Sequence, residues 1–83
     1  MKMIIFAFIN CQENEEKFVL QEIRKIHIVK NADRVVGIYD IVAKLESDSM
    51  EELNETITWE LRKITKVRSV LILMTKNTEI LAN

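Results

Sequence analysis

The chain contains two kinds of segment, short apolar runs and longer segments with apolar residues three or four positions apart, and the two kinds follow one another in a regular order. Short apolar runs, in which successive residues would point to opposite faces of a sheet, predict four strands, β1 over residues 3–9, β2 over 28–36, β3 over 39–46 and β4 over 67–75. Apolar spacings of three and four predict two helices, α1 over residues 10–26 and α2 over 49–65. The predicted element order is therefore βαββαβ.

Each predicted helix has a polar start and one apolar stripe. Asn10 with Glu13 would cap α1, and Ser49 with Glu52 would form a capping box at the start of α2. Acidic residues occupy the first turns and basic residues the last turns, which complements the helix dipole and explains most of the charge without a ligand. The stripes that we expect to face the sheet are Val19, Ile23 and Ile26 in α1, and Met50, Leu53, Ile57, Leu61 and Ile64 in α2.

The strands differ in how apolar their two faces are. β1 is apolar on both faces, so we expect both to be covered. Lys30, Asp33 and Arg34 interrupt β2, as is typical of a guarded edge strand. The predicted order across the sheet is 4-1-3-2, which makes the apolar β4 the other edge. We expect β4 to be covered by the C-terminal tail or by another subunit.

The second half of the chain repeats the first. Residues 22–26, Glu-Ile-Arg-Lys-Ile, recur as residues 60–64, Glu-Leu-Arg-Lys-Ile. Two strand-helix-strand units joined in this way predict an α+β fold, the ferredoxin-like βαββαβ sandwich with a four-stranded antiparallel sheet. We expect a single domain over residues 1–83, with its core at about 3–75 and a tail at 76–83.

The composition favours self-association. Of 83 residues, 48% are hydrophobic and 30% are charged, and Cys11 is the only cysteine, so no disulfide within the chain can stabilise this small domain. The net charge of −1 and the lack of a basic stripe argue against direct binding of DNA. The apolar start of the chain is too short for a membrane span or a signal peptide, so we expect a cytoplasmic protein.

Few residues are candidates for catalysis. His27, the only histidine, is predicted on the surface between α1 and β2, without a nucleophile placed beside it by any local motif. Cys11 follows β1 at the expected start of α1, where the helix dipole would stabilise a thiolate, although packing explains it more simply. Trp59 lies off the inward stripe of α2, either at an interface or against the sheet edge. No phosphate loop or metal-ligand spacing is present, so we expect no cofactor, no metal and no enzyme activity.

The connection between β2 and β3 is the sharpest local signal. Gly37 is the only glycine in the chain, and its place between two strands predicts a turn with a positive φ. Tyr39 can donate a hydrogen bond from its hydroxyl, and Asp40 can accept from neighbouring amides. A tight structural turn closed by Asp40 and shielded by Tyr39 would explain the same residues without a ligand.

Residues 37–44, Gly-Ile-Tyr-Asp-Ile-Val-Ala-Lys, resemble the G-x-Y-D-hydrophobic-hydrophobic-x-K/R signature of the Lrp/AsnC family. The resemblance is to the ligand-sensing half of that family, the RAM (regulation of amino-acid metabolism) domain. Val29 precedes the glycine as the family pattern expects, and residues 61–64 continue the match in α2. The resemblance covers roughly residues 3–74.

The resemblance implies a non-enzymatic sensing and oligomerisation domain that modulates transcription indirectly. Protomers would pair sheet face to sheet face in a dimeric α/β-barrel-like association, and dimers would form rings such as octamers or decamers. An amino acid or a related metabolite would bind between dimers. The ligand-binding residues that the resemblance implies are Val36, Gly37, Ile38, Tyr39 and Asp40.

The family's N-terminal helix-turn-helix has no counterpart in this sequence. The resemblance therefore implies a stand-alone sensing domain without direct contact to DNA or to a membrane. Such a domain would act as an effector reservoir or by joining full-length Lrp/AsnC-type regulators.

Departures from the family pattern leave alternatives open. The family often has threonine where this chain has Val36, Val70 and Ile72, so the pocket would favour a more apolar ligand, backbone contacts or no ligand at all. A Pro-Gly-type turn before β4 is replaced by Thr65 and Lys66. The fold also serves small dimeric α/β-barrel enzymes of the monooxygenase type, for which the single histidine would be the available base or haem ligand. A pure assembly module without a ligand is the other alternative.

Overall fold

The computed structural model describes residues 2–74 of the chain. Its elements in chain order are β1 Met3–Cys11, α1 Glu16–Arg24, β2 Val29–Arg34, β3 Ile41–Ser47, α2 Met50–Thr56 with a π-helical turn Ile57–Leu61, and β4 Val67–Met74. This is the predicted βαββαβ order. The tail at 76–83, and the cover that we expect it to give β4, lie outside the described residues.

The four strands form one antiparallel sheet in the order β2-β3-β1-β4, which confirms the predicted order and the ferredoxin-like fold. At its centre Ala7 of β1 pairs with Ala43 of β3 on one side and with Ile72 of β4 on the other. The edge of β2 is partly closed by Arg24 of α1, whose side chain donates two hydrogen bonds, of 3.0 and 2.7 Å, to the Ala32 carbonyl.

One face of the sheet carries both helices and the hydrophobic core. Alternate side chains of β1 and β3 are buried there, because successive residues of a strand point to opposite faces. The predicted stripe of α1 is buried as expected, whereas Met50, predicted in the stripe of α2, is the first residue of that helix and is 43% exposed. The largest fully buried side chains are Ile5, Ile9, Val19, Ile23, Ile41, Leu45, Leu53 and Leu61.

The opposite face of the sheet, which we call the open face, has no helix against it in residues 2–74. Leu71 and Leu73 are 44% and 50% exposed there, and an ion pair joins Lys44 to Glu46 with 3.2 Å between nitrogen and oxygen. The sequence predicts that both faces of β1 are covered. Within one protomer the helices cover one face of this strand, and the face on the open side is not covered by a helix of residues 2–74. The apolar side chains of the open face are Ile4, Phe6 and Phe8 of β1, Val42 of β3, and Leu71 and Leu73 of β4.

Helix α1 begins later than predicted. Asn10 pairs with Ser69 in the sheet, so β1 continues through Cys11 and α1 starts at Glu16. The predicted N-cap role of Asn10 is therefore wrong, because its backbone belongs to the strand ladder, and α1 has no side-chain cap. The turn between strand and helix contains Asn14 at a φ of 70°, a conformation that asparagine adopts more readily than most residues.

Helix α2 begins as predicted and ends differently. The Ser49 hydroxyl oxygen accepts a hydrogen bond from the backbone N–H of Glu52 at 3.1 Å, so the predicted N-cap is confirmed. The reciprocal bond of the predicted capping box does not form, because the Ser49 N–H donates to the Ser47 hydroxyl oxygen and the Glu52 carboxylate accepts from that hydroxyl. The helix then widens into the π-helical turn and ends before the predicted residue 65. In residues 2–74, neither helix is long and apolar enough to cross a membrane.

Lys66 occupies a strained turn before β4, at the place of the family's Pro-Gly-type turn. Its φ is 84°, a left-handed conformation that costs a residue with a Cβ about 1–2 kcal/mol. We expect Lys66→Gly to raise the free energy of unfolding by about 0.5–1 kcal/mol, since the greater chain entropy of unfolded glycine offsets part of the gain. Urea denaturation measures this difference.

Lys66→Ala is the matched control, because it removes the same side chain and keeps the Cβ. The Lys66 ammonium lies 4.0 Å from the Glu15 carboxylate in a partly exposed pair, and such pairs contribute little. We expect the alanine variant to be no more stable than the unchanged protein. Equal gains in both variants would contradict the backbone explanation.

Candidate functional site

The 35–40 loop joins β2 to β3 and is longer than the tight turn that the sequence predicts. Val36 and Tyr39 lie in the loop and not in the strands predicted to contain them. The backbone N–H of Val35 donates to the Asp40 carbonyl at 3.0 Å and closes the base of the loop.

The tip of the 35–40 loop is apolar and exposed. Val36 is fully exposed and Ile38 is 85% exposed. Gly37 between them has a φ of 150°, which confirms the predicted positive φ. No atom lies within 4 Å of the position that a Cβ would take, so the backbone conformation and not a close contact requires glycine here.

Tyr39 attaches the loop to the open face. Its ring and that of Phe8 have centroids 5.5 Å apart and planes inclined by 54°, a favourable arrangement for an aromatic pair. Phe8 is one of the open-face residues. The predicted ligand loop and the open face therefore touch each other at this pair.

Asp40 fixes the base of the loop to the end of β1. Its backbone N–H donates to the Ile9 carbonyl at 3.0 Å, which continues the pairing of β1 with β3. Its carboxylate oxygen Oδ2 then accepts a hydrogen bond from the Cys11 backbone N–H at 2.9 Å. This side chain replaces the backbone acceptor that the ladder lacks at its end. The implied role of Asp40 in binding a ligand stays a prediction.

Cys11 is buried beside that carboxylate and is a poor nucleophile. Burial above all, and then the charges of Asp40 and Glu16, raise the pKa of its thiol to about 11, while Arg34 acts in the opposite direction. The thiol also lies 3.7 Å from Asp40 Oδ2, to which it donates. The interpretation of a thiolate stabilised by a helix dipole is wrong, because Cys11 ends a strand and α1 begins only at Glu16.

A cleft of about 460 Å³ opens next to Asp40, at the ends of β1 and β4. Its lining is polar apart from the cysteine, and consists of Asn10, Cys11, Asp40, Arg68 and Ser69. Of the five predicted ligand-binding residues, only Asp40 lines it, while the other four form the loop beside it. Sequence reasoning missed Arg68, because the position of this residue depends on a bulge in the pairing of β1 with β4, and no local sequence pattern predicts that bulge.

Val70 and Ile72 of β4, where the resemblance leads us to expect threonine, lie outside the cleft. Val70 is buried, and Ile72 packs against the core on the helix side of the sheet. Neither lines the cleft beside Asp40, so the loss of hydroxyl groups at these positions does not change its polarity.

The other candidate residues are not assembled into a site. His27 is exposed in the turn between α1 and β2. Trp59 is 67% exposed, with the Lys63 ammonium 5.5 Å from the centre of its ring. In the part of the chain that the structure describes, no three His, Cys, Asp or Glu side chains could together hold a metal ion. A smaller cleft, of about 250 Å³, lies between Arg24 and residues 29–33 at the edge of β2.

The sequence model of the Lrp/AsnC ligand binding domain matches residues 4–79, and the chain therefore belongs to this family. The resemblance inferred from residues 37–44 is confirmed. The match includes every residue of the 35–40 loop and of the neighbouring cleft, so both are parts of a regulatory domain of the Lrp/AsnC type. A search of curated proteins found no significant match.

Solved structures of related proteins share the fold. FFRP-DM1 has 24% identity and a TM-score of 0.85, over 89% of this chain and 99% of that chain. AsnC of E. coli has 19% identity and a TM-score of 0.82, over 88% and 50%. A transcriptional regulator of Neisseria meningitidis, solved as a complex with L-Met, has 12% identity and a TM-score of 0.79, over 89% and 49%. The chain thus spans about half the length of the last two proteins.

The raised pKa of Cys11 predicts a loss of stability in alkali. The thiol is protonated in the folded state up to about pH 11, against an ordinary value of 9.0. Its contribution to stability is therefore complete below pH 9 and is lost as the pH rises towards 11. We expect the free energy of unfolding to fall more steeply over this range in the unchanged protein than in Cys11→Ala.

Asp40→Asn tests the cause of the raised pKa in the same experiment. The amide oxygen of asparagine can still accept from the Cys11 backbone N–H, but the negative charge is gone. The thiolate, followed by its ultraviolet absorbance, should then form at a lower pH than in the unchanged protein. An unaltered titration midpoint would show that the charge of Asp40 does not contribute to the raised pKa.

Proposed function

We propose that this chain is a non-enzymatic domain that binds an amino acid or a related metabolite and modulates transcription indirectly, through the regulators that it joins. The observation that carries the proposal is the match of residues 4–79 to the Lrp/AsnC ligand binding domain. The complex of a regulator of the same fold with L-Met supports an amino acid as the ligand. The chemistry of the described residues supports a binding role, since the thiol is protonated and His27 lies exposed, away from the cleft.

The open face supports self-association. Burial of apolar surface contributes about 25 cal/mol per Å², and a contiguous apolar sheet face on a small domain gains most from a partner with the same surface. A second copy that packs its own open face there would give the dimeric barrel-like arrangement implied by the family. In such a dimer, Phe8 and Tyr39 would lie where the sheet face meets the 35–40 loop.

The exposed tip of the 35–40 loop supports further assembly. Val36 and Ile38 place two apolar side chains in solvent on a loop whose base is fixed by hydrogen bonds. Contact between dimers, as in the rings of octamer or decamer size that the family implies, would cover them. The ligand would then lie between dimers, against Val36, Gly37, Ile38, Tyr39 and Asp40.

The mode of regulation follows from what the domain can contact. The two helices of residues 2–74 both pack on the sheet and are separated by two strands, so they form no helix-turn-helix. The net charge of −1 also disfavours direct contact with DNA. The domain would therefore act, in the cytoplasm, through full-length Lrp/AsnC-type regulators.

Phe6→Lys tests the assembly through the open face. Phe6 lies at the centre of that face, between Lys44 of β3 and Leu73 of β4. A charge there would have to be buried in the interface, so we expect the unchanged protein to be a dimer or larger and the variant to be a monomer at micromolar concentration. Light scattering measures the mass, and circular dichroism checks the fold.

Phe18→Lys is the control for this substitution, because Phe18 is also partly exposed but lies on α1, on the other side of the sheet. It should leave the oligomeric state unchanged. A mass of 9.8 kDa for the unchanged protein would contradict the assembly.

A thermal-shift screen of the twenty amino acids tests the sensing role. A ligand at 100 times its dissociation constant stabilises the folded state by about 2.7 kcal/mol, which is readily seen as a rise in melting temperature. Gly37→Val should lose the rise, because valine is strongly disfavoured at a positive φ. His27→Gln, at an exposed turn, should keep it. No rise with any amino acid would contradict the proposed sensing of amino acids.

A further inference from the structure

A β-bulge brings a positive charge to the cleft beside the 35–40 loop. Asn10 pairs with Ser69 and Cys11 pairs with Val67, so Arg68 has no partner on β1 and is the extra residue of the bulge. Bulges redirect side chains and are common beside functional sites. Here the redirected residue lines the same cleft as the Asp40 carboxylate.

Neither charge is neutralised by an ion pair within residues 2–74. Asp40 uses oxygen Oδ2 for the backbone and thiol of Cys11, which leaves its other oxygen available to a ligand. The nearby Glu16 and Arg34 lie 3.9 Å apart and pair with each other, so they add no net charge to the surroundings. The cleft therefore presents one anionic and one cationic group.

This pair of charges matches the two charged groups of an α-amino acid. The planar guanidinium of arginine binds a carboxylate through two parallel hydrogen bonds, and a carboxylate oxygen accepts from an ammonium group. The volume of about 460 Å³ lies within the range of about 300–1,000 Å³ that is usual for small-molecule sites.

The geometry points to Arg68 as the group that binds the carboxylate of an α-amino acid whose ammonium group is held by Asp40. This inference rests on the proposed function. It predicts that the site binds α-amino acids, which carry both charges, more tightly than amines that have the same side chain but no carboxylate. The Asn10 amide and the Ser69 hydroxyl, 3.5 Å apart, add polar contacts. Phe8 is the next residue of β1 on the same face, so the ligand's own side chain would point towards apolar surface.

Arg68→Gln tests this role by isothermal titration. The probes are the twenty amino acids and, for each one that binds, the corresponding amine, which keeps the ammonium group and the side chain but lacks the carboxylate. We expect the unchanged protein to prefer the amino acid to the amine by at least about tenfold. In Arg68→Gln the affinity for the amino acid should fall by a similar factor, while the affinity for the amine stays unchanged.

Two further variants separate this role from a general effect of charge or folding. Arg62→Gln removes an exposed arginine at the end of the π-helical turn, outside the cleft, and should change neither affinity. Arg68→Lys keeps the charge without the planar fork and should give an intermediate affinity for the amino acid. Circular dichroism confirms that each variant is folded.

The outcomes distinguish a failure of the role of Arg68 from a failure of the proposed sensing function. Equal binding of an amino acid by the unchanged protein and by Arg68→Gln overturns the role of Arg68 and leaves the sensing function standing. Loss of amino-acid and amine binding together in Arg68→Gln also overturns it, because the carboxylate contact would not be the cause. Absence of binding by the unchanged protein overturns the proposed function itself.

Discussion

Strand β1 exchanges hydrogen bonds with β3 along one edge and with β4 along the other, and the rest of the structure is positioned by this central strand. Its helix-side residues meet both helices in the core, and its other face supplies three of the apolar side chains of the open face. Because the side chains of a strand alternate between two faces, the nine residues of β1 supply side chains both to the buried core and to the apolar open face. A slip of one residue in either pairing would exchange the two faces.

The end of this strand is where regular pairing gives way to the candidate site. On the β3 side, the carboxylate of Asp40 takes over from the backbone as the acceptor for Cys11. On the β4 side, the ladder admits one extra residue, Arg68. Both irregularities lie at the same end of β1, so an acidic and a basic side chain come to line one cleft although 28 positions of sequence, from 40 to 68, separate them. The cleft is thus a consequence of the irregular pairing of β1 with both neighbouring strands at this end of the sheet.

Sequence patterns predicted the strands, the helices and the cap at Ser49, and failed at the start of α1 and at the bulge in β4. The apolar run of β1 and the repeat of residues 22–26 as 60–64 were sufficient for the element order and the sheet order. Asn10 was misassigned because a polar residue followed by Glu13 resembles a helix start, whereas its backbone is held by Ser69 across the sheet. The bulge at Arg68 is likewise a matter of pairing between distant strands, which no local spacing encodes.

The position of the cleft relates ligand binding to self-association. Asn10 and Ser69 stand on the same face as Phe8, and Phe8 in turn contacts Tyr39 of the 35–40 loop. A protomer packed on the open face would therefore border the cleft, and a ligand in the cleft would contact side chains that such a partner also contacts. On the proposed function, the two binding events share residues, so each must change the free energy of the other by the same amount. If the proposed function holds, a bound metabolite would change the free energy of assembly directly, and no conformational change within the protomer would be needed.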